Sequence, residues 1–126
     1  MNNEKDNVYD LVEDFYAHDE GWNTLLRQEY AEGFLRMEAW KGKKNSDLYR
    51  SWDNLTMLCL YLGSAETFLG DMNADDFIDC IAWCGRNISE FTPDYKNTQD
   101  FLETCDGLFK YLKGKNAISN DTVPGT

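Results

Sequence analysis

The stretch 48–63, LYRSWDNLTMLCLYLG, decides the fold class. Its residues Leu48, Trp52, Leu55, Cys59 and Leu62 recur in steps of three and four, which sets them on one face of a helix. The stretch 101–114, FLETCDGLFKYLKG, repeats the pattern with Phe101, Leu102, Cys105, Leu108, Phe109 and Leu112. Both runs close on a glycine, Gly63 and Gly114, the residue that most readily takes the left-handed backbone of a helix stop. No segment alternates with the period of two of a half-buried strand. The chain therefore reads as all-α, a compact bundle of four to six helices.

Working outward, a first helix is predicted over residues 7–16, with Val8, Leu11, Val12, Phe15 and Tyr16 inward. His18, Asp19, Glu20 and Gly21 read as a break. A second helix over 22–40 carries the stripe Trp22, Leu25, Leu26, Tyr30, Phe34, Met37 and Trp40. A basic loop follows, and Ser46 is placed to cap the third helix. Residues 64–72 form a link with one short turn around Phe68 and Leu69. Asn73 caps the next helix, with Asp75 and Asp76 favourable at its positive end. Phe77, Ile78, Ile81, Cys84 and Ile88 make its inner face. Thr92 and Pro93 read as cap and first residue of the last helix. Residues 1–115 form one helical domain in this reading, and 116–126 a flexible tail.

At 126 residues the chain can bury a single core, and 42% apolar with 14% aromatic residues is too rich for disorder. No apolar run reaches the ~20 residues of a membrane span. The polar, acidic first residues are not a secretory leader, so the expected compartment is the cytoplasm. The cysteines Cys59, Cys80, Cys84 and Cys105 fit a reducing compartment as small core hydrophobes.

Net charge is −11. Residues 1–40 hold ten acids against three bases, and the remainder thirteen against nine. A polyanionic partner is repelled by such a body, so nucleic acid and anionic membrane are not expected, and a protein partner of basic or mixed charge is.

Constellations that carry chemistry are few. Asp71, Asn73 and Asp75 imitate the opening of a calcium loop, but Asp76 and Ala82 stand where it needs glycine and a bidentate glutamate. Four cysteines suggest a zinc site, yet they fall in helix interiors rather than short knuckles, and apolar burial opposes their ionisation. The single histidine, His18, lies at a helix end without a neighbouring nucleophile. No phosphate-cradling glycine loop occurs. Neither catalysis, a metal nor a cofactor is expected.

Three aromatics, Tyr49, Tyr61 and Trp83, fall where a stripe would be polar and are candidates for an exposed protein interface. Lys41, Lys43, Lys44 and Arg50, with Lys110, Lys113 and Lys115, make two small basic clusters that would form one patch if they met.

The order of helices over residues 46–118 resembles the helical SAM-like N-terminal domain of phage integrases and tyrosine recombinases. The matching segments are 46–62, the helix start Asn73-Ala74-Asp75-Asp76-Phe77-Ile78, and the end Phe109-Lys110-Tyr111-Leu112-Lys113-Gly114-Lys115. That resemblance implies a fold, and in the family the domain clasps DNA while a separate domain does the chemistry. The expected function is a non-catalytic protein interaction module. The alternatives are an acidic nucleic-acid mimic of the kind used as a phage or mobile-element inhibitor, and a stand-alone DNA-binding relative of the integrase domain acting through the two lysine clusters.

Overall fold

The structure, a computed structural model, describes residues 7–18 and 21–118. These form six α-helices and one 3-10 turn, with no strand among them. They fall into two compact units, residues 1–53 and 54–126.

In the first unit, Asn7 opens α1 (Val8–His18) by accepting the Asp10 amide at 3.1 Å on its side-chain oxygen. The predicted long second helix is in fact two, α2 (Trp22–Leu25) and α3 (Gln28–Trp40). Leu26, at φ −151° and ψ 113°, and Arg27, at ψ 141°, are extended and break the register. Two side chains serve the break. Asn23 accepts the Gln28 amide at 2.9 Å, and the Tyr16 hydroxyl donates to the Leu26 carbonyl.

Because the break resets the helical phase, the buried stripe of α3 is Ala31, Phe34, Leu35 and Glu38. Trp40, expected inside, is 83% exposed. The aromatic core of this unit is built around Phe15, which packs edge-on to Trp22 and Trp52 at 4.5 and 5.4 Å. Arg36 of α3 lies over the Tyr9 ring of α1 at 4.1 Å. Gly42, at φ +106°, turns the chain back after α3. Lys43 then pairs with Glu38 Oε2 at 3.1 Å and donates to Ser51 Oγ at 3.3 Å, leaving Glu38 Oε1 buried without a partner.

The helix α4 (Asn45–Ala65) begins one residue before the expected cap Ser46 and continues into the second unit. There Leu55, Leu58, Cys59 and Leu62 meet the core residues of α5 (Ala74–Asn87) and α6 (Tyr95–Gly114). The 3-10 turn Leu69–Asp71 sits in the predicted link, with Leu69 buried. Asn73 caps α5 as expected, in a reciprocal box with Asp76 at 3.1 and 2.8 Å. Phe77, Cys80 and Cys84 are the buried row of α5, and Phe77 packs on Phe109 at 5.4 Å.

Ile78, expected inside, is 66% exposed, because Cys80 rather than Ile78 continues the row from Phe77. The start of α6 also differs from expectation. Asp94 is its cap, accepting the Asn97 amide at 2.8 Å, and Thr92 and Pro93 lie outside the helix. Pro93 is instead packed on Gly85, where a Cβ would approach its Cγ to 2.9 Å.

Gly63 remains inside α4, whereas Gly114 is the last residue of α6 as expected, and neither takes the left-handed backbone of a stop. The left-handed residues are Glu66 at φ +54° and Asn116 at φ +58°. Each stop is closed by an amide reaching back five residues, Thr67 to Leu62 at 3.1 Å and Ala117 to Leu112 at 2.8 Å. Of the predicted tail, residues 116–118 form this second stop, and 119–126 lie outside the described residues, as do Asp19 and Glu20 of the predicted break.

One polar network is sealed between α4 and α6. The Asn54 amide donates to Asp100 Oδ2 at 3.0 Å and to Thr104 Oγ1 at 2.9 Å, and Thr104 Oγ1 donates to the Asp100 carbonyl at 3.0 Å. Asn54→Ala deprives the buried Thr104 Oγ1 and Asp100 Oδ2 of the donor they share, and is expected to lower stability by about 2 kcal/mol in urea unfolding. Glu66→Gly removes left-handed strain from a side-chain-bearing residue, and the same measurement is expected to show a gain of about 0.5–1 kcal/mol.

A candidate interaction face on the fifth helix

The helical period of α5 sorts its residues into three strips. Phe77, Cys80 and Cys84 go to the core. Asp75, Ile78, Asp79 and Ala82 point outward. Between these strips, Asp76 and Trp83 are half-buried at the shoulder facing α4.

At that shoulder the structure brings together two of the three aromatics singled out from sequence. Tyr61 of α4 meets Trp83 with ring centroids 6.1 Å apart, edge to face. Tyr61 is not exposed as expected. It is buried, because α4 is apolar on both sides of its main stripe where α5 packs against it, while Trp83 keeps part of its indole in solvent. Burial raises the Tyr61 phenol above its ordinary value, and the carboxylates of Asp76 and Asp79 raise it further by opposing a second negative charge. The result is an aromatic pair rimmed by carboxylates, and Ile78 is exposed on the outward strip of the same helix. Tyr49 lies in the first unit and is half-buried.

The stripe analysis placed Trp40 inward and did not single out Tyr95, yet they are 83% and 82% exposed. Trp40 is the last residue of α3 and Tyr95 the first of α6.

The two basic clusters take different roles. Lys43 is held by Glu38, whereas Lys41, Lys44 and Arg50 are exposed and have no acidic partner among the described residues. In the second unit Lys110 pairs with Asp106 at 3.0 Å and Lys115 lies over Tyr111 at 5.6 Å, while Lys113 occupies the last turn of α6. His18 ends α1, with Nδ1 2.8 Å from the Asp14 carbonyl oxygen. The calcium-like triplet is taken up locally: Asp71 ends the 3-10 turn and Asn73 serves the cap of α5. A shallow polar groove at the α2–α3 break is lined by Asn23, Arg27, Gln28, Glu29 and Glu32, of which Arg27 and Glu29 pair at 2.6 Å.

The four cysteines are free and buried, and all belong to the second unit. The neighbouring Cys84 and burial raise the Cys80 thiol, and Cys84 Sγ donates to the Met57 carbonyl at 3.9 Å. Burial pushes Cys59 and Cys105 up, and the neighbouring thiols push Cys105 further. Among the described residues, no three His, Cys, Asp or Glu side chains are grouped to hold a metal ion. None of the described helices is long and apolar enough to cross a membrane. Compared with known proteins, the chain matches no family model, no curated protein and no solved structure.

These shifts fix the sign of an alkaline effect. Cys59, Cys105 and Tyr61 hold their protons more tightly when folded, so the unfolded chain releases them first as pH rises. Their contribution is intact below the unfolded thiol value of about 8.5 and falls away above it, with the phenol adding from about 10. Urea midpoints are expected to be level from about pH 7 to 8 and to drop by about pH 10. A level midpoint through that range would contradict this burial.

Proposed function

We propose that this chain is a non-catalytic interaction module whose α5 face binds a basic segment of a protein partner. The observation that carries this reading is the Tyr61–Trp83 pair, with Asp76 and Asp79 close enough to act on the phenol and Ile78 exposed on the outward strip of the same helix. Aromatic and aliphatic side chains anchor an interface by giving up contact with water. Carboxylates around them steer a cationic partner and reject an anionic one. A lysine or arginine of the partner would meet Asp75 and Asp79 while its apolar neighbours cover Ile78. The excess of acids in residues 1–40 adds long-range attraction for a segment of net positive charge. The four free buried thiols support a reducing compartment, the cytoplasm.

For residues 46–118 we propose the SAM-like arrangement. It is supported by the succession of α4, the 3-10 turn, the capped α5 and α6. Its DNA-clasping use draws no support from the lysines of the second unit, two of which are engaged with Asp106 and Tyr111.

The test is a titration of the labelled protein with a short arginine- and lysine-rich peptide containing one leucine, followed by backbone amide shifts. Perturbations are expected to gather on α5 and around Tyr61 and Trp83. The double variant Asp75→Asn, Asp79→Asn is expected to bind roughly tenfold more weakly. Shifts scattered over acids throughout the chain, or equal binding by the variant, would reject the reading.

A further inference from the structure

The other end of the charge scale is found in the first unit. The last residue of α3 is a large apolar side chain, Trp40, 83% exposed. Around it the chain runs Lys41, Gly42, Lys43, Lys44, and Arg50 follows in the second turn of α4. Lys43 is withdrawn into its pair with Glu38. That leaves an indole with Lys41, Lys44 and Arg50 beside it in sequence, exposed and without an acidic partner among the described residues. On a chain of net charge −11 this is a local reversal of sign around an apolar centre.

The α5 face is its opposite. It offers Ile78, 66% exposed, flanked by Asp75 and Asp79 one turn apart, and neither carboxylate has a cationic partner among the described residues. Each surface thus has one apolar anchor and a few unneutralised charges, and the charges are of opposite sign. We propose that the basic segment received by the α5 face is the Trp40 turn of a second copy of this chain, giving head-to-tail self-association. This rests on the reading of the α5 face given above and names its partner.

A nucleic-acid strand is the poorer occupant of the Trp40 turn. Such binding draws on neutralising many phosphates, and three free cations do not offset the remaining charge of this chain. A copy of the chain needs only two or three carboxylates around an aliphatic side chain, which α5 supplies. Because the two surfaces differ, the contact is heterologous, and a copy engaged through one surface has the other left for a further contact.

Its salt dependence is distinctive. Two bodies of −11 repel at long range, and this repulsion is strongest in dilute buffer, where the screening length is about 30 Å at 0.01 M. Near 0.15 M the length is about 8 Å, which damps the repulsion while leaving close pairs in force. At about 1 M the length is about 3 Å and the pairs weaken too. Association is therefore greatest at intermediate ionic strength.

The experiment is sedimentation of the full chain over a range of protein and salt concentrations. The wild type is expected to show a weight-average mass that rises with concentration and peaks at intermediate salt. The neutralised turn Trp40→Ala, Lys41→Gln, Lys44→Gln and the neutralised face Ile78→Ser, Asp79→Asn are each expected to remain monomeric. Mixed together they keep one intact surface each, and are expected to form a pair that grows no further. Circular dichroism checks that each variant is folded, and single substitutions Trp40→Ala and Asp79→Asn serve where a multiple variant is not. A wild type monomeric at every concentration and salt overturns the proposal. So does association retained by both variants, or a mixture that stays monomeric while the wild type associates. Preferred capture of a single-stranded oligonucleotide through Trp40, without self-association, also overturns it. Basic-peptide binding at α5 is measured separately, so a wild type that binds the peptide but does not self-associate sinks only this proposal.

Discussion

Asn54 spends both hydrogens of its amide inside the second unit, one on Asp100 and one on Thr104. A buried amide is costly unless each of its groups is met, and the penalty rises steeply when a partner is displaced. This pair of bonds therefore admits one register of α4 against α6. Apolar contacts alone would tolerate sliding, since leucine against leucine is similar one turn up or down. In this unit Cys59 and Leu62 of α4, Phe101, Cys105 and Leu108 of α6, and Phe77, Cys80 and Cys84 of α5 are all buried. The placement of Tyr61 next to Trp83, and hence the α5 face, follows from the same register.

In the first unit the comparable role falls to the interrupted helix. Extending Leu26 and Arg27 frees backbone groups, and Tyr16 and Asn23 satisfy them. The interruption rotates everything after it. Ala31, Phe34 and Leu35 go inward, Glu38 is carried in with them, and Trp40 is carried out. Glu38 is tolerable there because Lys43 reaches it from beyond the Gly42 turn. An acid in the core and an indole in solvent are two ends of one rotation.

The helical class and most helix positions were legible in the chain, since periods of three and four over fourteen to sixteen residues admit no other reading. Asn73 was legible too, because a cap acts through its own side chain and the three residues after it. What failed were inferences that depended on partners distant in sequence. The phase of α3 needed knowledge of the break at Leu26, which no proline or glycine marks. Thr92 and Pro93 spelled a helix start, but Pro93 is committed to Gly85. Gly63 spelled a stop, yet α4 ran on past it, and although α6 does end at Gly114, the left-handed residues are Glu66 and Asn116, where the returning amides were available. Ile78 was ranked inward on hydropathy, while Cys80 held the angular position that counts. Of the candidate face, the pairing of Tyr61 with Trp83 lay beyond sequence, because each belongs to the flank of a different helix.

The cysteine core has a use in observing the molecule. Four sulfur atoms sit where water and reagents do not reach, on three different helices of one unit. A thiol-specific reagent can modify them only during a fleeting separation of those helices, so the rate of labelling under native conditions counts how often the unit breathes. Because Cys59 lies on α4, Cys80 and Cys84 on α5 and Cys105 on α6, resolving the labelled positions by mass would tell which helix loosens first. The protein thus carries a built-in stopwatch for its own interior, one sulfur to each moving part and two on α5.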